Sequence, residues 1–199
     1  MLVAIEIILA ITPLGSLRLG PGIVATLAHI PVIIAAVLLG PAAGMFMGGV
    51  FGLLSFLVWT FMPPDVVSAG LFTPFYPLPG LEHGSWLSLI VVFVPRVLLG
   101  LFAALLYRFF AKFDKKKYVS YIASGVLASV LHTVMVLGSM YLFFSGKIAE
   151  IFPNFGLSFA AYIYTTAGIN GVMEAVIAGV LTVAIVAPLK RLLPKAIGR

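Results

Sequence analysis

Charge is scarce in this sequence of 199 residues, of which only 9% are charged and only six are acidic. Soluble globular domains carry about 25% charged residues. A chain that is also 62% hydrophobic therefore does not fold as a soluble domain. Its long apolar runs predict a helical protein that crosses the membrane several times.

Cysteine is absent, which excludes disulfides, thiolate metal sites and thiol catalysis, and we predict no bound metal. Motifs for other chemistry are missing as well. A phosphate-binding loop ending at Gly146-Lys147 would need glycine at the position of Tyr141. The sequence also lacks a GxSxG elbow and an HExxH motif, so we predict no enzyme and no ATP hydrolysis by this chain.

Apolar runs of about 20 residues are long enough to cross a bilayer core as helices. Six runs reach or approach this length, at residues 1–13, 22–40, 42–62, 86–107, 118–144 and 160–188. The first run is short for a full crossing, and Gly40-Pro41 joins the second and third in a tight helical hairpin. We predict an all-α membrane protein in which residues 1–199 form a single compact bundle of six transmembrane helices.

The basic residues set the predicted orientation of the bundle. They cluster in two places, after the fourth and the sixth runs: Arg108, Lys112, Lys115, Lys116, Lys117, Lys190, Arg191, Lys195 and Arg199. The positive-inside rule places both clusters, and therefore both termini, in the cytoplasm. Because basic loops beside membrane helices commonly anchor to anionic lipid headgroups, we predict no nucleic-acid partner.

The segment 63–85 contains five prolines among many large apolar side chains, which is too apolar for a freely solvated loop. Long apolar loops often cover binding sites, so one interpretation is an outer lid. The alternative is a proline-stiffened loop lying in the headgroup region, with Trp86 as an interfacial anchor.

Formal charges within the predicted spans are confined to Glu6, Arg96 and Glu174, and such charges are costly unless they are paired or functional. Arg96 and Glu174 fall near the same depth, so one interpretation is an ion pair between two helices. The other is an anion site, because a guanidinium matches a carboxylate in a bidentate geometry. Pro95 weakens the adjacent helical hydrogen bonds and could free a carbonyl there.

Two groups of uncharged residues add to this picture. His29, His132 and Asn170 can hydrogen-bond hydroxyls and amides, and His132 and Asn170 come from runs neighbouring that of Arg96. Gly44, Gly48 and Gly52 recur every fourth residue, a pattern that allows close helix packing within the bundle or against a partner subunit.

Several short motifs extend over most of the chain. They are H-I-P-V-I-I at 29–34, L-G-P-A-A-G at 39–44, V-P-R-V-L-L-G at 94–100 and N-G-V-M-E-A at 170–175. With these motifs the sequence resembles the substrate-binding S components of energy-coupling factor (ECF) transporters, and is most similar to the pantothenate-specific members.

The resemblance implies a bacterial cell-membrane protein that captures a vitamin and topples in the bilayer to deliver it inward. A membrane-embedded coupling subunit and two cytoplasmic ATPases would be its partners. This chain would hold no cofactor, since ATP would be used by the partner subunits. Another vitamin such as folate, or a non-catalytic protein with purely structural buried polar pairs, is the alternative.

The resemblance also guides the assignment of residues. Arg96 would bind the carboxylate of pantothenate and His132 and Asn170 its polar groups, while Trp59, Phe72 and Tyr164 would form apolar walls. The first helix of the family commonly presents Ala-x-x-x-Ala to the coupling subunit, whereas here Ala4 is followed by Ile8. We therefore predict that the coupling interface combines Ala4 with the small residues Gly44, Gly48 and Gly52.

Overall fold

The computed structural model of the chain describes residues 1–20, 23–63, 66–78, 82–151 and 166–192. Its helices are α1 (Leu2–Ile11), α2 (Ile30–Leu39), α3 (Pro41–Phe61), α4 (Val66–Phe72), α5 (Leu87–Phe110), α6 (Tyr118–Ile151) and α7 (Gly171–Leu192). A 3-10 turn, Pro13–Gly15, and two strands, β1 (Ser16–Gly20) and β2 (Ile23–Thr26), lie between α1 and α2. One π-helical turn, Thr166–Asn170, precedes α7. The predicted helical architecture is confirmed, with one short hairpin added in the described part.

Four of the described helices are long and apolar enough to cross a membrane, over Pro41–Phe61, Leu87–Phe110, Tyr118–Lys147 and Gly168–Leu192. The helices α1 and α2 have 10 residues each. At 1.5 Å per residue each of these two extends about 15 Å, roughly half of a bilayer core.

The predicted helix over 22–40 is wrong in its first part, because α2 begins only at Ile30. Pro31 lies in the first turn of α2, where its missing N–H costs nothing, whereas it would break a helix that began at residue 22. The preceding residues 23–26 form β2, which pairs antiparallel with β1. The hairpin also occupies part of the segment 14–21, which lies between the first two predicted helices.

Glycines of α3 let it pack directly against the backbone of α5. A Cβ on Gly44 would lie 2.6 Å from the carbonyl oxygen of Gly100, and one on Gly48 would lie 2.1 Å from that of Arg96. A Cβ on Gly52 would meet the Phe93 ring at 2.9 Å. The three glycines are buried inside the bundle, which corrects their assignment to a coupling-subunit interface.

The helix α2 lies in the middle of the core. Every residue from Ile30 to Val37 is buried, and Val32, Ile33 and Ala35 are fully inaccessible. Buried side chains of α3, α5, α6 and α7 surround it. A helix that is apolar on all sides is typical of a protein core or a membrane span, and here other helices enclose it.

The segment 63–85, which we predicted to be a loop, contains the short helix α4. Leu71, Phe72 and Leu78 are buried against α5 and α6, in a second cluster with Val91 and Phe144. The segment therefore packs on the helices, as its apolar composition indicated. Hydrogen bonds tie it to the end of α3, between the Thr60 and Thr73 hydroxyls at 2.9 Å and from the Tyr76 hydroxyl to the Thr60 carbonyl at 3.2 Å.

The last two long helices extend beyond their predicted ends. The helix α6 continues to Ile151 rather than stopping at residue 144, and α7 continues to Leu192 rather than residue 188. Pro188 lies within α7, so this proline does not terminate the helix. Residues 160–165 of the sixth predicted span lie outside the described residues.

Candidate functional site

The Arg96 side chain is buried in α5 and is anchored by a proline next to it. Pro95 has no N–H, so the carbonyl of Val91, four residues earlier, loses its helical donor. The Arg96 guanidinium donates Nη1–H to this carbonyl at 2.7 Å. The proline that weakens the helix thus supplies the acceptor that orients the guanidinium.

Aromatic rings flank the Arg96 guanidinium. Its Cζ atom lies 5.5 Å from the ring centre of Phe51 on α3 and 5.5 Å from that of Phe72 at the end of α4. Both distances are within the range of cation–π attraction. The Phe72 ring stacks in turn on Trp59, with centroids 4.8 Å apart. Phe72 and Trp59 therefore form an apolar wall beside the cation.

Two histidines lie on the other side of Phe51. The ring of His132, on α6, is 5.9 Å from the Phe51 ring and stacks on His29 with centroids 6.1 Å apart. His29 is the residue before α2, and its Nε2 is 3.2 Å from the Ser129 hydroxyl. The Ser129 contact thus holds the His29 ring, which supports the ring of His132.

Asn170 closes the π-helical turn before α7 and is half-buried. Its chain neighbour Gly171 packs against Thr133, where an added Cβ would lie 3.1 Å from the threonine methyl. Thr133 follows His132 on α6, so the π turn lies beside α6 near the level of the histidines. Single π turns occur frequently at functional sites.

Arg96 and Glu174 do not form the ion pair that the sequence allowed. Within the part of the chain that the structure describes, no carboxylate lies within ion-pair distance of Arg96. Glu174 instead accepts a hydrogen bond from the backbone N–H of Thr26, at 2.8 Å. The carboxylate thus holds the end of β2 and leaves the guanidinium without a counter-ion among these residues.

Buried polar atoms without a partner gather around this cluster. Among the described residues, Arg96 Nε, His132 Nε2 and Thr133 Oγ1 are buried and make no hydrogen bond. Buried polar groups are nearly always paired, so a set of unpaired ones on adjacent helices marks a place where a ligand or water binds. The set offers a cation, a ring nitrogen and a hydroxyl.

The structure brings most of the predicted site residues together. Arg96, Phe72 and Trp59 form a row of side chains that Phe51 joins to His132. Asn170 lies in the π turn, whose next residue, Gly171, packs against α6. Tyr164 lies outside the described residues. Sequence reasoning did not assign Phe51 or Thr133 to the site. Phe51 carried no polar signal, while Thr133 could have been found as the neighbour of His132.

The face of α1 that carries Ala4 is open to the surroundings. Ala4 is exposed, and Ile5, Ile7 and Ile8 beside it are 40%, 40% and 51% exposed. Glu6 points the other way and is fully buried. Unlike the glycines of α3, Ala4 is therefore accessible to a partner.

Comparisons with known proteins identify the family of the chain. Residues 1–187 match the family described as ECF transporter, substrate-specific component. The sequence is also 34% identical over 171 residues to the pantothenic acid transporter PanT of Lactococcus lactis subsp. cremoris (strain MG1363), covering 83% of this chain and 78% of that protein. These matches favour a transport subunit over the alternative of a membrane protein without a transport function. The chain belongs to the family of substrate-specific components of ECF transporters, and it is a multi-pass cell-membrane transport subunit.

Proposed function

We propose that this chain captures pantothenate with high affinity for ATP-driven uptake into the cell. Its relative from Lactococcus lactis carries the name of a pantothenic acid transporter. At 34% identity over most of both chains, a shared ligand is the simplest explanation of the match. Two features of the candidate site, its buried cation and its polar and aromatic groups, support this ligand.

The observation that carries the proposal is the buried Arg96 guanidinium, which has no carboxylate partner among the described residues. A buried cation without a counter-ion is unfavourable, and a bound anion relieves this cost. Pantothenate carries one carboxylate, which can accept hydrogen bonds from a guanidinium in a bidentate geometry. Arg96 is therefore the residue that binds and orients its charged end.

The neighbouring groups suit the rest of the molecule. Pantothenate has an amide, two hydroxyls and a gem-dimethyl group. His132 Nε2 and Thr133 Oγ1 are buried and lack partners among the described residues, so they can bind the hydroxyls. Asn170 is proposed to bind the amide, because the next residue, Gly171, packs against Thr133. Phe72 and Trp59 supply an apolar surface for the methyl groups, and Tyr164 is proposed for the same role.

The membrane arrangement that goes with this function has six crossings and cytoplasmic termini. Four helices are long and apolar enough for a complete crossing. The end of α2 lies near Arg108, whose Nη2 would be 3.5 Å from a Cβ on Gly40, and His29 at its start stacks on His132 in the middle of α6. The helix α2 then spans the inner half of the bilayer and the hairpin enters the outer half. Non-helical backbone at membrane depth is stable where protein encloses it.

Uptake requires partners that this chain does not contain. We propose that a membrane-embedded coupling subunit binds the exposed face of α1 around Ala4, and that two cytoplasmic ATPases supply the energy. The apolar residues on this face suit contact with another membrane helix as well as with lipid. Neither the capture step nor this chain needs a cofactor.

The role of Arg96 is tested by pairing a change in the protein with a change in the ligand. Pantothenol is the analogue of pantothenate in which a primary alcohol replaces the carboxylate. Wild-type protein in detergent is expected to bind pantothenate about 100-fold tighter than pantothenol, since a buried charge pair is lost. In Arg96→Ala the two ligands should bind equally weakly. The control Arg108→Ala changes an exposed arginine of the same helix and should keep the wild-type preference. Equal preference in wild type and Arg96→Ala would refute the assignment.

A further inference from the structure

The hydrogen bond between Glu174 and Thr26 links the β-hairpin to the helix that follows the π turn. Glu174 lies four residues after Asn170, and its Oε1 accepts the Thr26 N–H at 2.8 Å. Thr26 is the last residue of β2, paired with Ser16 at the open end of the hairpin. The carboxylate therefore fixes the point where the hairpin joins the bundle.

The same point of the chain leads directly to the histidines. Three residues after Thr26, His29 contacts the Ser129 hydroxyl through Nε2 and stacks on His132. Because only two residues separate Thr26 from His29, a displacement of Thr26 is transmitted along the backbone to His29. His29 is 1% exposed, so it has little room to settle elsewhere without moving His132.

We propose that Glu174 is a positioning residue of the binding site, which holds the hairpin closed beside the bound ligand and keeps His29 against His132. The inference rests on the proposed function, in which His132 binds pantothenate. It assigns Glu174 a role other than that of a partner for Arg96. The role requires an acceptor oxygen at the position of Oε1, and it does not require the negative charge.

Release of the ligand is the step on which Glu174 acts. A hairpin held at its open end dissociates from the bundle less often, so bound pantothenate escapes more slowly. Loss of the hydrogen bond is expected to accelerate release about tenfold, within the range typical of one intramolecular hydrogen bond. Association should change less than threefold by the same reasoning, because affinity changes within one interface fall mainly on the dissociation rate.

Three variants separate the acceptor from the charge. Glu174→Ala removes both and should release pantothenate about tenfold faster than wild type. Glu174→Gln keeps an acceptor oxygen at the same reach and should restore release to within about threefold of wild type. Glu174→Asp keeps the charge but is one methylene shorter, so it should behave like Glu174→Ala. If Glu174→Ala does not fold, the release rates of Glu174→Asp and Glu174→Gln still separate the acceptor oxygen from the charge. Glu82→Ala removes an exposed carboxylate and is the matched control.

Hydrogen exchange of the ligand-free protein provides a readout independent of pantothenate. The amides of the peptide 16–28 should exchange faster in Glu174→Ala than in wild type, with Glu174→Gln unchanged. An unchanged release rate together with unchanged exchange would overturn the proposal, as would a Gln variant as impaired as the Ala variant. Wild-type protein that binds no pantothenate would instead refute the proposed function, and exchange would still test the hairpin contact.

Discussion

The imidazole of His29 stacks on that of His132, with ring centroids 6.1 Å apart and an angle of 15° between the planes. The two residues come from the start of α2 and the middle of α6. His29 already uses Nε2 in its contact with Ser129, whereas His132 Nε2 is buried without a partner among the described residues. The pair therefore consists of a supporting ring and a ring that is available to a ligand.

Replacing His132 by phenylalanine tests this division of roles. His132→Phe keeps an aromatic ring against His29 and Phe51 but removes the ring nitrogen. We expect pantothenate affinity to fall about tenfold while the thermal midpoint in detergent stays close to that of wild type. Leu131→Phe alters an exposed neighbour on α6 and serves as the control. Unchanged affinity in His132→Phe would remove this residue from the site.

Adjacent glycines of α3 provide a test of the close contact between α3 and α5. In Gly48→Ala the new methyl group would lie 2.1 Å from the Arg96 carbonyl oxygen. Such overpacking costs about 1–3 kcal/mol, and it displaces the backbone that carries Arg96. We expect Gly48→Ala to lower both the thermal midpoint and ligand affinity. Gly49→Ala is the matched control, because a Cβ there meets nothing within 4 Å. Equal behaviour of the two variants would contradict the packing described here.

Pro95 is expected to affect binding and stability in opposite directions. In Pro95→Ala the restored N–H competes with Arg96 for the Val91 carbonyl, which the guanidinium now contacts at 2.7 Å. We expect weaker pantothenate binding, by about tenfold or less, because the guanidinium is less firmly oriented. The thermal midpoint should stay equal or rise, because the helix gains a backbone hydrogen bond. A fall in thermal midpoint with unchanged affinity would show that the proline does not act through Arg96.

Asp114, in the connection between α5 and α6, makes the stability of the protein depend on pH in the acid range. Hydrogen bonds from the Ser120 backbone N–H at 2.9 Å, the Ser120 hydroxyl and the Lys117 and Lys116 backbones lower the pKa of Asp114 below its ordinary value of 3.8. The folded protein thus favours the carboxylate form. The stabilisation is present above pH 3.8 and disappears as the pH falls through the lower pKa of the folded state.

Thermal midpoints of wild type and Asp114→Ala across the acid range check this prediction. The variant should be less stable than wild type at neutral pH, and the difference should shrink below pH 3.8. Because Asp114 is at the surface, the effect should be small. Glu82→Ala is the control at another exposed carboxylate. A difference that stays constant as the pH falls would contradict the assignment.

The long helices could be predicted from sequence because their determinants are local. In α3, α5, α6 and α7 the length of each apolar run is sufficient to define a helix. The hairpin could not be predicted in this way, since a short apolar run such as Ile23–Thr26 has no periodicity that separates strand from helix. Pro31 could have indicated where α2 begins, because proline is favoured in the first turn of a helix.

The candidate site was predictable only in part for a different reason. The cost of burying charge identifies Arg96 from sequence, and the resemblance to a family adds His132, Asn170 and the aromatic walls. Which side chains meet depends on the rotation of each helix about its axis, and that is set by packing. The contact of Phe51 with Arg96, the bond of Glu174 to Thr26 and the inward direction of Gly48 therefore required the structure.

Calorimetric titration of the purified protein with pantothenate tests the central claim most directly. Folate, riboflavin, thiamine, biotin and nicotinate are titrated in parallel as comparisons. The account predicts tight binding of pantothenate at a ratio of one ligand per chain, and no detectable heat from the other vitamins. Tight binding of a different vitamin, with none for pantothenate, would contradict it.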